Sequence, residues 1–428
     1  MNVLTFNCGS SSVKYSLWSM PSKQILSSGT VERVTVGNSF IRHRAMGKGE
    51  VVWQQECPTH DVAIGLIINF LKDPKYGVIK DLSEIDAVGH RVVHGGEKFL
   101  RSTLIDDAVI KTIEECIPLA PLHNPPNLMG IRAAMKSMPS IPHAAIFDTA
   151  IFTTIPPQNY IYGVPYEWYE KYQVRRYGFH GTSHLYVSRR AAVLLGMKPS
   201  EVNVVTMHIG NGTSVTAMKR GMAFDHSMGF TPLEGAVMGT RSGDVDVGAV
   251  LYVMRLEKLS PEAMDSILNK KSGLLGITGK YVDRRDIQRA AAEGDSRAKL
   301  AFEIECSKLR KYIGAYVAAM GGADAIVFTA GVGENSHLHR AKICEGLESI
   351  GLEIDPEKNE AAVGGKSEMD ISTSDSSIKV FVIPTCEELV IVEDVVALLE
   401  NRYDVYTNFV YSFEREKVTP IYRGSDES

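Results

Sequence analysis

The chain has 428 residues, too many for one ordinary domain, and its 44% hydrophobic and 23% charged content is that of a packed globular protein. A formal net charge of −5 gives no basic footprint for nucleic acid. No stretch of about 18 residues is uniformly apolar; the nearest, 313–333, is broken by Gly321, Gly322 and Asp324 and reads as helix, turn, strand and loop, so no membrane partner is expected.

In chain order, the first apolar run, "VLTF" (3–6), is a strand broken by "NCGSSS" and resumed as "VKYSLW", the pattern of a hairpin. The same break leaves no secretory leader, so a cytoplasmic protein is expected. "AVGHRVVH" (87–94) and "HAAIFDTA" (143–150) read as strands, and "SRRAAVLLG" (188–196) as a helix. "VNVVTMHIG" (202–210), "AIVFTAG" (325–331) and "KVFVIPT" (379–385) read as further strands. The segment 297–320 has helical period, with Leu300, Ile304, Leu309, Ile313 and Tyr316 as its apolar stripe. A last helix, "EELVIVEDVVALLE", precedes residues 401–428, which read as an appended tail of no assigned role. Strand–helix alternation points to an α/β class. The six cysteines are scattered, with no C-x-x-C pair and no zinc spacing, and read as free thiols. One internal echo stands out: "VLTFNCGSSSVKYSLW" (3–18) and "VVTMHIGNGTSVTAMKRG" (204–221) share strand, polar residue, Gly, hydroxyl-rich turn and second strand. Two half-molecules opening on the same hairpin would present two such turns across a cleft.

The familiar phosphate motifs are missing. "GGKS" (364–367) imitates a P-loop, but Glu360 stands where its first Gly belongs. "GNGTSV" and "GVGENS" both lack the last Gly of a dinucleotide fingerprint. What remains are Gly-rich turns at strand ends, "HIGNGTS" (208–214) and "TAGVGEN" (329–335), whose backbone can approach an anion closely or adopt positive φ. Arg91 lies near a strand end, either an anion ligand or half of an ion pair. Asp148, inside an apolar strand, must be paired or bind a cation. His180 in "YGFHGTSH" is structural or functional by sequence alone; Arg241 in "GTRSGDVD" suits bidentate anion binding. Glu387 is a first-turn helix carboxylate or a ligand.

Ten motifs in order make a sharper case: "NCGSSSVKYSL", "GHRVVHGGE", "APLHNPPNL", "FDTAIF", "RRYGFHGTSH", "HIGNGTSV", "DHSMGFTPLEGAVMGTRSGDVD", "DRRDI", "FTAGVGENS" and "IPTCEEL". Over residues 1 to about 400 the chain resembles the acetate kinase family, within the superfamily of sugar kinases, heat-shock ATPases and actin. The resemblance implies two actin-like, ribonuclease H-like domains with βββαβαβα cores, an interdomain nucleotide cleft and a homodimer. The expected division is 1–150 plus 386–400 for the first domain and 151–385 for the second, which would carry the nucleotide site and the dimer interface. By motif, Asn7 and Glu387 would hold Mg²⁺ (or Mn²⁺), and Ser10, Ser12 and Lys14 would face phosphates. Arg91 and Arg241 would clamp carboxylate and phosphoryl group, with His180 stabilising the transition state. His208, Ile209, Gly210, Asn211, Gly212, Asp283, Arg284, Arg285, Gly331, Val332, Gly333, Glu334 and Asn335 would line ATP or ADP. Val93, Leu122 and Pro232 would wall an acyl pocket. The chain departs from the family at Cys386, where Asn is usual, at Ile151 and Phe152, where an aromatic and a His are commoner, and in its tail.

The implied reaction is reversible in-line transfer from ATP to acetate, giving ADP and acetyl phosphate. A carboxylate nucleophile is already ionised at neutral pH, so Asp148 is expected to orient Mg²⁺-bound water or an Arg rather than act as a base. Rival readings are a propionate or butyrate kinase, pyrophosphate as donor, and a non-catalytic actin-like switch.

Overall fold

The computed structural model describes residues 1–365 and 367–415; the end of the expected tail, 416–428, lies outside the described residues. The chain forms two compact units, 1–153 with 386–412, and 154–385 with the segment from Phe413.

Unit 1 is built on an eight-stranded sheet. Its strands are β1 (Asn2–Cys8), β2 (Ser12–Ser19), β3 (Gln24–Glu32), β4 (Phe40–Ala45), β5 (Gly49–Gln54), β6 (Ala87–Val92), β7 (Thr103–Leu104) and β8 (His143–Phe147). Their order is β5-β4-β3-β2-β1-β6-β8-β7. β1 and β2 are antiparallel, with Asn7 opposite Lys14, while β1, β6 and β8 run parallel. Helix α1 (His60–Lys72) starts where Thr59 accepts from the Val62 amide, and buries Ala63, Ile64, Ile67 and Leu71 at helical spacing. These side chains join Leu4, Phe6, Cys8 and Leu17 in one core. Helix α2 (Asn124–Ser137) crosses β1 so closely that a Cβ on Gly130 would lie 2.2 Å from Cys8 Sγ.

Unit 2 repeats the plan with β9 (Asn203–Ile209), β10 (Thr213–Lys219), β11 (Met222–His226), β12 (Ala325–Thr329), β13 (Met369–Asp370) and β14 (Lys379–Val382), ordered β11-β10-β9-β12-β14-β13. β9 and β10 are antiparallel, with β9, β12 and β14 parallel. The five central strands of each sheet therefore share one topology, the βββαβαβα arrangement expected of an actin-like α/β fold. The final helices are exchanged along the chain. α3 (Gly181–Leu195) follows β8 but packs on β9 and β12, whereas the Glu387–Leu399 helix follows β14 but packs on β1 and β6.

Unit 2 also carries α4 (Val247–Glu257), α5 (Arg284–Ala292), α6 (Ser296–Met320) and α7 (Ala330–Asn335), and the Glu387–Leu399 helix of unit 1 is α8. α6 buries Ala301, Cys306, Leu309, Ile313, Tyr316 and Met320. Leu300, expected in this stripe, is instead 49% exposed, because the buried face runs through Ala298, Ala301 and Glu305. Residues 401–412 pack into unit 1 instead of trailing from it. Tyr411 donates to Asp394 (2.9 Å), the Ser412 amide to Glu393 (2.8 Å), and Tyr406 to the Ile151 carbonyl (2.7 Å). Among the described residues no helix is long and apolar enough to cross a membrane.

Candidate active site

Each unit carries part of the expected site. In unit 1, the β1–β2 turn brings Ser10, Ser12 and Lys14 together at the end of the first hairpin, with Ser10 and Lys14 exposed. The Gly9 amide donates to the Ser12 carbonyl at 2.8 Å. Gly9 is not left-handed, and a Cβ there would meet only Ser12 at ordinary distance. The turn itself therefore does not demand glycine, which leaves close approach of another group as the physical use for it.

Asn7 projects from β1 toward Arg91 of β6, whose Nη1 donates to Asn7 Oδ1 at 3.1 Å. Asp148, just past β8 and 1% exposed, takes both remaining edges of the same guanidinium. Nε donates to Oδ1 at 3.0 Å, and Nη2 pairs with Oδ2. Such a bidentate pair fixes the plane of the guanidinium as well as its position. Burial opposes the charge on Arg91, but Asp148 and then Glu387 outweigh it and raise its pKa above the ordinary guanidinium value. α8 packs on β6, the strand of Arg91, and Glu387 lies in its first turn. Of the two roles expected for Asp148, orienting an arginine is the one this geometry supplies. Asn127 of α2 staples the site from behind: its Oδ1 accepts from the Val93 amide (3.0 Å) and its Nδ2 donates to the Cys8 carbonyl (2.8 Å). Asn124 does the same for His94 at 3.1 and 2.9 Å. The spacing in "HNPPN" was the available sequence signal for both. Val93 is buried, whereas Leu122 is 49% exposed in the turn before α2.

In unit 2, His180 precedes α3 with left-handed backbone (φ 57°), an unusual state for a residue with a side chain. Its ring stacks on His208 at 4.2 Å between centroids and 15° between planes. Gly212 sits where His180 and Arg241 converge: a Cβ there would lie 3.3 Å from His180 Cε1 and 3.1 Å from Arg241 Nη2. Arg241 donates Nη1 to the Pro232 carbonyl at 2.7 Å and has no carboxylate partner among the described residues. Burial accordingly lowers its pKa. The two arginines thus differ: Arg91 is neutralised in place, and Arg241 is a largely buried cation with no counter-ion among the described residues.

The loops expected around a nucleotide divide into two kinds. Gly210 and Gly331 have ordinary backbone, but only Gly331 opens on free space, since a Cβ on Gly210 would lie 3.3 Å from the Gly212 carbonyl oxygen; Asn211 and Gly331 are exposed. The "TAGVGEN" segment is not a turn, as expected, but the short helix α7. Glu334 Oε1 accepts from the Ala330 amide of its own helix (2.8 Å) and from the Thr385 amide (3.1 Å). Asn335 bridges Gly331 and Gly364. Asp283 caps α5 and pairs with the exposed Arg285. Arg284 turns inward instead, 5% exposed, to bond Glu305 (2.7 Å) and Thr213 (3.3 Å). Burial raises the Glu305 pKa, but Arg284 and then His339 bring it down to about 2.

Mg²⁺ prefers oxygen ligands, keeps several waters and needs few protein groups. Among the described residues no three of His, Cys, Asp and Glu converge as a metal site. The Asn7 amide oxygen and the Glu387 carboxylate near Arg91 suit that sparse requirement.

Twin actin-like units, one holding a pre-oriented arginine and the other an uncompensated one beside a histidine, define a phosphotransferase-type protein. The chain belongs to the acetokinase family, whose model matches residues 2–393. It is 58% identical over 416 residues to the acetate kinase of Geobacter metallireducens, covering 97% of this chain and 99% of that one. It is 55% identical over 402 residues to the acetate kinase of Thermotoga maritima, at 94% and 99% coverage. The crystal structure of Porphyromonas gingivalis acetate kinase superposes with a TM-score of 0.88 at 49% identity, over 93% of this chain and 99% of that chain. A propionate kinase from Francisella tularensis reaches 0.85 at 40% identity, over 92% and 98%.

Proposed function

We propose that this chain is an acetate kinase that transfers the γ-phosphoryl group of ATP to acetate, reversibly. One acetate oxygen forms a bond to phosphorus as the bond from phosphorus to the β,γ-bridging oxygen breaks; no proton moves. The observation that carries the reading is Arg241, a largely buried guanidinium whose field asks for an anion. Phosphoryl transfer requires mainly positioning and positive charge around the equatorial oxygens. Arg91, held planar by Asp148 and Asn7, binds the acetate carboxylate; Arg241 and His180 receive charge on the phosphoryl group. Ser10, Ser12 and Lys14 bind phosphate oxygens from the first hairpin. Asn7 and Glu387 would hold Mg²⁺, which supplies charge neutralisation on the phosphates. The adenosine side of ATP or ADP is assigned to the backbone at 208–212 and 331–333 and to Asp283 and Arg285, with Arg284, Glu334 and Asn335 shaping those loops. Val93, Leu122 and Pro232 are the residues assigned to the acyl methyl group.

The homodimer belongs to the same reading. Every residue of α4 lies outside the buried core, with Val247 68%, Leu251 48%, Tyr252 59% and Leu256 64% exposed. Such an apolar surface suits a second copy of unit 2. Cytoplasmic residence accords with six free, buried cysteines. An acyl hydroxamate assay with acetate, propionate and butyrate tests substrate choice. Acetate should give the highest kcat/KM; a preference for propionate would move the chain to the sibling activity, and hydroxamate from none would leave an actin-like switch.

A further inference from the structure

The mechanism above asks His180 to donate a hydrogen bond, and a neutral imidazole donates from only one nitrogen. Which one is decided by the partner on the other side of the ring. His180 Nδ1 lies 2.9 Å from Ser214 Oγ, and the same hydroxyl lies 2.7 Å from His184 Nε2. His184 Nδ1 in turn lies 2.7 Å from Thr206 Oγ1. Ser214, His184 and Thr206 are all fully buried. Burial, followed by His226 and His208, holds the His184 pKa well below its ordinary value, so its ring is neutral, with one donor and one acceptor nitrogen.

A single hydroxyl proton cannot serve both rings. Ser214 Oγ has no third partner among the described residues, so its one proton goes to one histidine and the other histidine donates to it, and the whole file has two senses. In the first, Thr206 donates to His184 Nδ1, His184 Nε2–H donates to Ser214, and Ser214 donates to His180 Nδ1. His180 then carries its proton on Nε2. In the second sense every bond reverses, and His180 turns an Nε2 lone pair outward, toward which an anionic phosphoryl oxygen would be repelled. We propose that Thr206, His184 and Ser214 are positioning residues that run in the first sense and fix His180 as its Nε2–H tautomer. The stack on His208, itself tied through Nδ1 to Ser183 Oγ at 2.8 Å, holds the ring plane while the file sets the proton. This rests on the reading that His180 faces the transferring phosphoryl group.

The test combines kinetics with the tautomer itself. Ser214→Ala should lower kcat at pH 8 by about 10- to 100-fold, the scale of a weakened transition-state donor, with KM values little changed. His184→Gln, which offers an amide N–H where Nε2–H stood, should lose less than His184→Leu. Histidine-selective ¹⁵N spectra, with His180 assigned from His180→Gln, should show Nε2–H in the parent and a mixture in Ser214→Ala. An Nδ1–H tautomer in the parent or an unchanged spectrum in Ser214→Ala overturns the proposal. If His180→Gln retains full kcat, the catalytic role of His180 fails, while the spectrum still judges the tautomer assignment.

Discussion

Asp148→Asn separates a positioning carboxylate from a catalytic base. The substitution leaves one carbonyl oxygen for Arg91 Nε but sets an amide N–H₂ against Nη2, replacing half of the bidentate pair with two opposed donors. Removing one partner of a buried ion pair costs about 3–5 kcal/mol, mostly because the other charge stays buried. Arg91 keeps Asn7 and the field of Glu387, and its side chain is 17% exposed. The low end, about 3 kcal/mol, is therefore expected. Expressed wholly in the transition state, that is about a 10²-fold fall in kcat. Hydroxamate kinetics at saturating acetate and ATP, from pH 6 to pH 8, measure it. The loss should be the same across that range, since acetate needs no deprotonation, and Asp148→Asn added to Arg91→Ala should cost little more. An Asp148→Asn enzyme with most of its kcat would refute the reasoning: the charge would be dispensable both for Arg91 and for bound water.

Arg241→Gln should abolish transfer yet raise the melting temperature of the ligand-free protein by about 2–4 °C, the shift that about 1 kcal/mol gives in a domain of this size. Differential scanning calorimetry checks it, and an unchanged or lower melting temperature would mean that Arg241 is compensated. His184 and His226 are buried with pKa values well below the ordinary one, the first through burial, His226 and His208, the second through burial, Arg176 and His208. The unfolded chain then binds more protons below about pH 6.5, so stability conferred by these rings is present above that pH and lost as pH falls through it. Chemical denaturation of the parent between pH 7.5 and 5.5, compared with His226→Gln, should show a shallower pH slope in the variant. Light scattering should give a mass twice 47.0 kDa, and Tyr252→Glu with Leu256→Glu should halve it. A parent monomer would remove α4 as the interface.

The two hairpins were legible because each carries its whole pattern within about twenty residues: strand alternation, a small-residue turn, and a resumed strand. Their equivalence extends to register, with Asn7 facing Lys14 and His208 facing Ser214. The Arg91–Asp148 pair was not legible as a pair. Nothing local joins residues 57 apart; only the parallel register of β6 and β8, Val92 beside Phe147, brings them together. Residue type gave each alone, and geometry gave their shared role. Arg284 shows the reverse limit. A motif carried it toward the nucleotide, but helix period turns it toward Glu305, while its neighbour Arg285 stays outside. Likewise "TAGVGEN" reads as a turn from its glycines, yet the amides around Ala330 and Thr385 have a carboxylate partner in Glu334, and the segment coils. The Ser214–His184–Thr206 file leaves only a faint trace, the i, i+4 spacing of His180 and His184, because its other members come from strands β9 and β10.

Phosphate is expected to leave ATP for a carboxylate, not for water. ³¹P NMR of the purified protein with MgATP, followed before and after acetate is added, reads both fates at once. Acetyl phosphate and ADP should appear together only with acetate, and acetyl phosphate with MgADP should regenerate ATP. Inorganic phosphate and ADP at the same rate with or without acetate would contradict the account.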